Sequence, residues 1–134
     1  PQNILQVLFQ NNSKRKEVRR IIYDAFKKYF VIDPTKLGHL RIRLSEKSPV
    51  DDVQERGIHQ DAVDFHNKAL DIISASDGVK AFTGIITTII AGDPKVILID
   101  EPEAFLHPSL ASNLGKEVSN SVNGTSKNLF VSTQ

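Results

Sequence analysis

The sequence predicts an α/β domain with a mostly parallel sheet flanked by helices, and two observations carry that prediction. Val96-Ile97-Leu98-Ile99 is an unbroken apolar run rich in β-branched residues, and Leu129-Phe130-Val131 is a second such run. Strands buried on both faces, as in parallel sheets, have this composition. Elsewhere apolar residues recur at helical spacing, in Val79, Phe82, Ile85, Ile86, Ile89 and Ile90 and again in Leu110, Leu114, Val118 and Val122. The coarse order is helix, strand, loop, helix, helix, strand, helix, strand.

Taken from the start, Ile4 to Phe9 is a short apolar stretch that fits either a helix or a strand. Asn11-Asn12-Ser13 is a helix-start signal, and Val18, Ile22, Ala25, Phe26, Tyr29 and Phe30 then follow on one face. The other face carries Lys14, Arg15, Lys16, Arg19, Arg20, Lys27 and Lys28. Two readings fit it: a solvated amphipathic face, or a surface that contacts the phosphates of DNA. Asp33-Pro34 ends the helix, a turn around Gly38 follows, and Leu40 to Leu44 alternates as a half-exposed strand. Ser45 to Gly57 lacks periodicity and is expected to be a surface loop. Ile58 to Ile73 is expected to be helical, with Ala62, Phe65, Ala69, Ile72 and Ile73 as its stripe; His59 and His66 lie too far apart on it to share a metal. The helix from Val79 is stopped by Gly92 and Pro94, and the one that begins near Pro108 is closed by Gly124.

A chain of 134 residues holds one core, and 40% apolar with 25% charged residues is the balance of an ordinary globular protein. The net charge of +1 gives no bias toward a polyanionic partner. The absence of cysteine excludes disulfides and thiolate metal sites. No apolar run reaches the length of a membrane span and no signal peptide opens the chain, so a cytoplasmic location without membrane contact is expected. The chain contains no Met and ends at Gln134 directly after a strand-like run. A piece of a longer protein is expected on that ground.

Two places bear chemistry. Asp100-Glu101 sits where the first buried strand must end, because Pro102 cannot continue a ladder. Ligands of parallel α/β sheets bind at the carboxyl ends of strands, and hard carboxylate oxygens there suit Mg²⁺ with a nucleotide phosphate. Ser76-Asp77-Gly78 opens the next-to-last helix. A helix start with a Ser hydroxyl and unobstructed N–H groups binds phosphate oxygens, although an ordinary capped helix has the same residues.

In this order and at these separations, Ser76-Asp77-Gly78-Val79-Lys80, Val96 to Pro102 and Leu129 to Thr133 resemble the signature motif, Walker B strand and switch strand of ABC-type ATPases, a class of P-loop NTPase. The phrase Asp100-Glu101-Pro102-Glu103-Ala104-Phe105-Leu106-His107-Pro108 resembles the non-transporter branch, related to the SMC, RecF and overcoming-lysogenization-defect proteins and to AAA-type ATP-binding proteins. The resemblance covers the second half of the chain well and the first half loosely. It implies one partial ATPase domain over 1–134, with a helix, strand and loop region at 1–57 and the signature, Walker B and switch elements at 58–134.

The resemblance also implies roles. Asp100 would hold Mg²⁺ through a coordinated water, and Glu101 would orient and deprotonate the attacking water. Ser76 and Gly78 would reach the γ-phosphate of ATP held by the other subunit of a homodimer. Pro102 to Pro108 would pass between the subunits, with Phe105 and Leu106 packed either there or under the following helix. Gln134 falls where the family has a His that senses the γ-phosphate; its amide donates a hydrogen bond but carries no proton. No Gly-x-x-x-x-Gly-Lys-Ser/Thr loop is present, so the phosphate-cradling loop is expected on upstream residues and the isolated chain is expected to be inactive. The expected function is ATP binding and hydrolysis in DNA repair or phage defence. The alternatives are an interaction module that keeps the fold without the chemistry, and a DNA-binding module that uses the Lys14 to Lys28 face.

Overall fold

The computed structural model describes residues 3–92 and the backbone of two strands, 96–100 and 128–132. The chain divides into two compact units, Pro1–Ala75 and Ser76–Gln134.

The first unit opens with two helices joined by one asparagine. Helix α1 (Ile4–Gln10) starts at Asn3, whose side chain accepts the Leu5 N–H at 2.8 Å. Asn11 then closes α1 and opens α2 (Asn12–Phe26), accepting the Lys14 N–H at 2.9 Å. Such caps satisfy amide groups that a helix start leaves without partners. The helical stripe of α2 buries Val18, Ile21 and Ile22. It was expected to run on through Tyr29 and Phe30, but α2 stops at Phe26. Lys27 takes the left-handed conformation (φ 59°) and donates its N–H to the Tyr23 carbonyl at 2.8 Å.

Tyr29–Asp33 forms strand β1 instead, with Phe30, Val31, Ile32 and Asp33 consecutively buried. The physical reason is burial. A helical continuation would bring only one or two of these residues onto the stripe, whereas a strand covered on both faces buries all of the apolar ones. Each full apolar side chain buried contributes roughly 1.5–3 kcal/mol. Strand β2 (Arg41–Ser45) returns antiparallel to β1, pairing Asp33 with Arg41 and Tyr29 with Ser45. The connection turns at Lys36 to His39, where the His39 N–H meets the Lys36 carbonyl at 3.1 Å and Gly38 has φ 81°. A positive φ in that position of a type II turn selects glycine.

Two further departures follow. Inside the segment expected to be a loop lies helix α3 (Asp52–Arg56), capped by Asp51, whose carboxylate accepts the Gln54 N–H at 2.8 Å. Helix α4 (Gln60–Asn67) begins as expected but does not reach Ile73. Leu70–Asp71 is strand β3 on the free edge of β2, and Ile72–Ser74 is a single 3-10 turn that leaves Ile73 exposed. This first sheet, ordered β1-β2-β3, is wholly antiparallel. The expectation of a mostly parallel sheet is therefore corrected for this half of the chain: the link from β1 to β2 is too short for the crossover a parallel pair needs, and β3 returns after α3 and α4 to pair antiparallel with β2.

In the second unit helix α5 spans Asp77–Gly92 and buries Phe82, Ile86 and Ile89 from the expected stripe, together with Thr83 and Thr87. Strands β4 (Val96–Asp100) and β5 (Asn128–Ser132) pair in parallel, with Val96 opposite Asn128 and Asp100 opposite Ser132. The apolar runs seen in the sequence are thus two parallel neighbours in register. The expected helix between them, from Pro108 to Gly124, lies outside the described residues.

Candidate functional site

The parallel pair defines one edge of chemical interest. Ile97, Leu98 and Ile99 stand opposite Leu129, Phe130 and Val131, so both apolar runs end at the same level. The next residue on each strand is polar: Asp100 on β4 and Ser132 on β5, partners in the register. This is the carboxyl edge, where ligands of parallel sheets bind. Carboxylate and hydroxyl oxygens are the donor types that Mg²⁺ takes, and a chain without Cys or Met supplies no soft sulfur competitor. The residue types present therefore fit a hard cation with a nucleotide's phosphates, and such a cation would neutralise phosphate charge when bound. Glu101 directly follows β4 in the chain and Gln134 comes shortly after β5. Both lie outside the described residues, as does the segment Pro102 to Pro108 with Phe105 and Leu106.

Ser76 and Gly78 stand at the start of α5. The Ser76 hydroxyl oxygen accepts the Val79 N–H at 3.3 Å, and the Ser76 carbonyl accepts the Lys80 N–H at 3.0 Å. The serine is thus the N-cap of α5. Asp77 is almost fully exposed and pairs with Lys80 at 3.8 Å, which suits the positive end of a helix dipole. Gly78 is half-buried in the first turn. The helix start is formed and capped within the chain itself.

The basic face expected on α2 is rearranged. Arg15 and Arg19 point inward, and the sequence analysis missed the partner that takes them there. Glu55 of α3 is completely buried and accepts from Arg15 Nε at 2.6 Å, from the Arg19 guanidinium, and from the Ile32 N–H of β1 at 3.0 Å. Arg15 also donates to the Leu8 and Phe9 carbonyls at 3.2 and 2.8 Å and to Asp52 at 2.9 Å, and Arg19 donates to the Phe30 carbonyl at 2.8 Å. Buried charges persist when their hydrogen-bonding capacity is filled in this way. His66 of α4 donates from Nε2 to the Glu55 carbonyl at 2.7 Å, because a carbonyl can only accept. One carboxylate therefore ties α2, β1 and α3 together, with α4 joined to its backbone. The legible signal was Arg15 and Arg19 four residues apart, flanking Val18 on the inward side.

A second buried carboxylate, Asp33, closes the hairpin. It accepts from the Thr35 N–H at 2.8 Å, the Thr35 hydroxyl at 2.5 Å and Arg43 Nε at 2.7 Å, with Arg41 at 3.3 Å. Burial pushes its carboxyl up, but the hydrogen bonds from Thr35 and Arg43 and the influence of His66 outweigh that and hold it below the usual carboxylate range. Both buried acids of this unit thus have their hydrogen-bond partners supplied by the protein. A surface cleft of about 320 Å³ in the same unit is lined by Lys47, Asp61, Asp64, Phe65 and Lys68 among others. Its acids already engage side-chain amides: Gln54 donates to Asp61 at 3.2 Å and Gln60 to Asp64 at 2.8 Å. Among the described residues no cluster of His, Asp and Glu is arranged to hold a metal, and no helix is long and apolar enough to cross a membrane.

Comparison with known families supports an ATPase-like domain of the AAA, P-loop type. A family model described as "AAA domain, putative AbiEii toxin, Type IV TA system" matches residues 9–133. The protein belongs to this AAA family. A comparison with curated proteins returns no match.

Proposed function

We propose that the chain is the Walker B and signature portion of an ATP-hydrolysing domain that works as a homodimer in defence against phage. The observation that carries the proposal is Asp100 at the carboxyl end of β4, in register with β5, within a chain matched over 9–133 by an AAA family. In this reading Asp100 holds Mg²⁺, Glu101 orients and deprotonates the attacking water, and Ser76 and Gly78 contact the γ-phosphate bound by the second subunit. Gln134 stands where a γ-phosphate sensor is expected and acts through its amide alone. The finer placement in the non-transporter ABC branch rests on the motif resemblance of Asp100 to Pro108. The choice of phage defence over DNA repair is supported by the family description, which names the AbiEii toxin of a type IV TA system.

The test is ATP turnover by the intact gene product, wild type beside Glu101→Gln. Loss of a positioned base should slow turnover by about 10²–10⁴-fold while ATP binding survives. Equal turnover in the two proteins removes Glu101 from the chemistry and the Walker B reading with it.

A further inference from the structure

We propose that the tip of the β1–β2 hairpin is a DNA wedge: Leu37 enters a base step of a duplex, with Lys36 and His39 on the phosphates beside it. The proposal concerns the first unit alone and stands independently of the ATP site. Leu37 is 96% exposed, the most exposed large apolar side chain among the described residues. It precedes Gly38 in the turn that the His39 N–H closes on the Lys36 carbonyl. Such a turn requires glycine at Gly38 and leaves its neighbour's side chain unspecified, so the turn itself does not call for a leucine.

A lone exposed leucine is ordinary on a protein surface. This one differs in its mounting and its charge setting. β1 and β2 pair in continuous register up to Asp33 and Arg41, at the base of the turn. There the buried Asp33 carboxylate accepts from the Thr35 N–H at 2.8 Å and from Arg43 at 2.7 Å, and Pro34 fixes one torsion of the connection. Leu37 is therefore carried on a braced two-stranded ribbon, a shape that fits a DNA groove. From Pro34 to Ser45 the chain has no Asp or Glu. Arg41 and Arg43 direct their charge at Asp33 and Asp71, while Lys36 and His39 flank Leu37 in exposed positions. An apolar point between phosphate-binding side chains complements a polyanion with an apolar interior.

Duplex DNA and an anionic bilayer both have that character, and the size of the point selects between them. A bilayer holds a protein through a broad apolar face or a lipid chain, and one leucine is far too little. A duplex needs only one, since a single apolar side chain wedged into a base step unstacks and kinks it. Single strands are held by aromatic stacking, and Thr35 to Leu40 contains no Phe, Tyr or Trp.

The test uses the intact gene product and short duplexes labelled at both ends for energy transfer, one fully paired and one with a central bulge that eases unstacking. Wild type should bind both, prefer the bulged duplex and bend it, with an affinity that falls as salt rises. Leu37→Ala should abolish the bend and weaken binding to the bulged duplex roughly ten- to a hundredfold, the scale of one buried leucine. Lys36→Gln should weaken both duplexes alike and lower the salt slope by about one. Both variants should keep the wild-type urea midpoint, because both side chains are exposed. A Leu37→Ala protein that binds and bends DNA like wild type overturns the wedge. Absence of DNA binding at low salt overturns the proposal outright, and Leu37-dependent sedimentation with phosphatidylserine vesicles in its place would assign the tip to a lipid surface. None of these results depends on whether Glu101→Gln slows ATP turnover.

Discussion

Glu55 in the first unit is an acid fixed by its side-chain partners, whereas Asp100 in the second is an acid placed by the register of two parallel strands. Glu55 is enclosed, with two guanidinium groups and a backbone amide on its carboxylate, all supplied within the same unit. Asp100 ends a parallel strand at the edge where both apolar runs give out. The first arrangement consumes the acid's capacity to bind anything else and converts it into a joint between helices and sheet. The second sets an acid at the carboxyl end of a parallel strand, the edge at which such sheets bind ligands. Charge alone therefore does not mark a functional residue; what matters is whether the fold has already supplied its partners.

The sharpest way to break this contrast is to remove the Glu55 charge. Glu55→Gln leaves Arg15 and Arg19 buried around a neutral amide, and losing one partner of a buried ion pair costs about 3–5 kcal/mol. Arg15 keeps Asp52 and two carbonyls, and Arg19 keeps the Phe30 carbonyl, so the loss should fall toward the lower end. Urea denaturation of the full chain reads it directly. Asp100→Asn should change stability far less while altering the response to Mg²⁺. An Asp100→Asn protein as destabilised as Glu55→Gln would make Asp100 a structural acid too.

Asp33 sharpens the comparison through pH. Its folded-state carboxyl lies below its ordinary value, so the stability it contributes is fully present above the unfolded carboxylate pKa, about 3.9. That stability is lost as pH falls from there through the lower folded value. Asp33→Asn should be less stable than wild type at pH 7 by about 1–3 kcal/mol, the cost of unsettling a buried hydrogen-bonded group. The difference should shrink as pH drops below 4, and parallel acid limbs in the two proteins would show that Asp33 is not the group responsible.

The sequence disclosed the second unit better than the first, for reasons that particular residues make plain. α5 is long with regularly spaced apolar residues, and β4 and β5 are built on unbroken apolar runs, so their own residues state what they are. The end of α2 could not be seen, because Lys27 adopts a left-handed conformation with neither Gly nor Pro to announce it, while Phe30 continues the helical phase. α3 escaped notice because its buried residue is Glu55 and its apolar one, Val53, is exposed; a five-residue helix held by a carboxylate has no hydrophobic period. Ala69 and Ile72 kept the period of α4 alive on paper, although the chain there had joined the sheet as β3. At the candidate site, Asp100 and Ser76 were visible as residue types in motif order. The pairing of Asp100 with Ser132 was not, since register between strands nearly thirty residues apart leaves no local trace.

Arg20 supplies the smallest expected effect and the cleanest contrast with its neighbour Arg19. Both belong to the face that composition alone marked as basic, yet Arg19 is buried against Glu55, whereas Arg20 is half exposed and pairs with Glu17 at 2.7 Å and Asp24 at 3.4 Å along its own helix. Exposed pairs at these spacings contribute about 0.3–0.5 kcal/mol and are screened by salt. Arg20→Ala should therefore shift stability by no more than about 0.5–1 kcal/mol, and less in high salt, while Arg19→Ala strips a guanidinium from a buried acid and should cost several times as much. The same Arg20→Ala protein decides what remains of the DNA reading of this face. With Arg15 and Arg19 turned inward, phosphate contact falls to Arg20 and the lysines. A salt-dependent DNA affinity that drops on this one substitution, with stability preserved, would assign α2 a contact role that its buried arginines cannot fill.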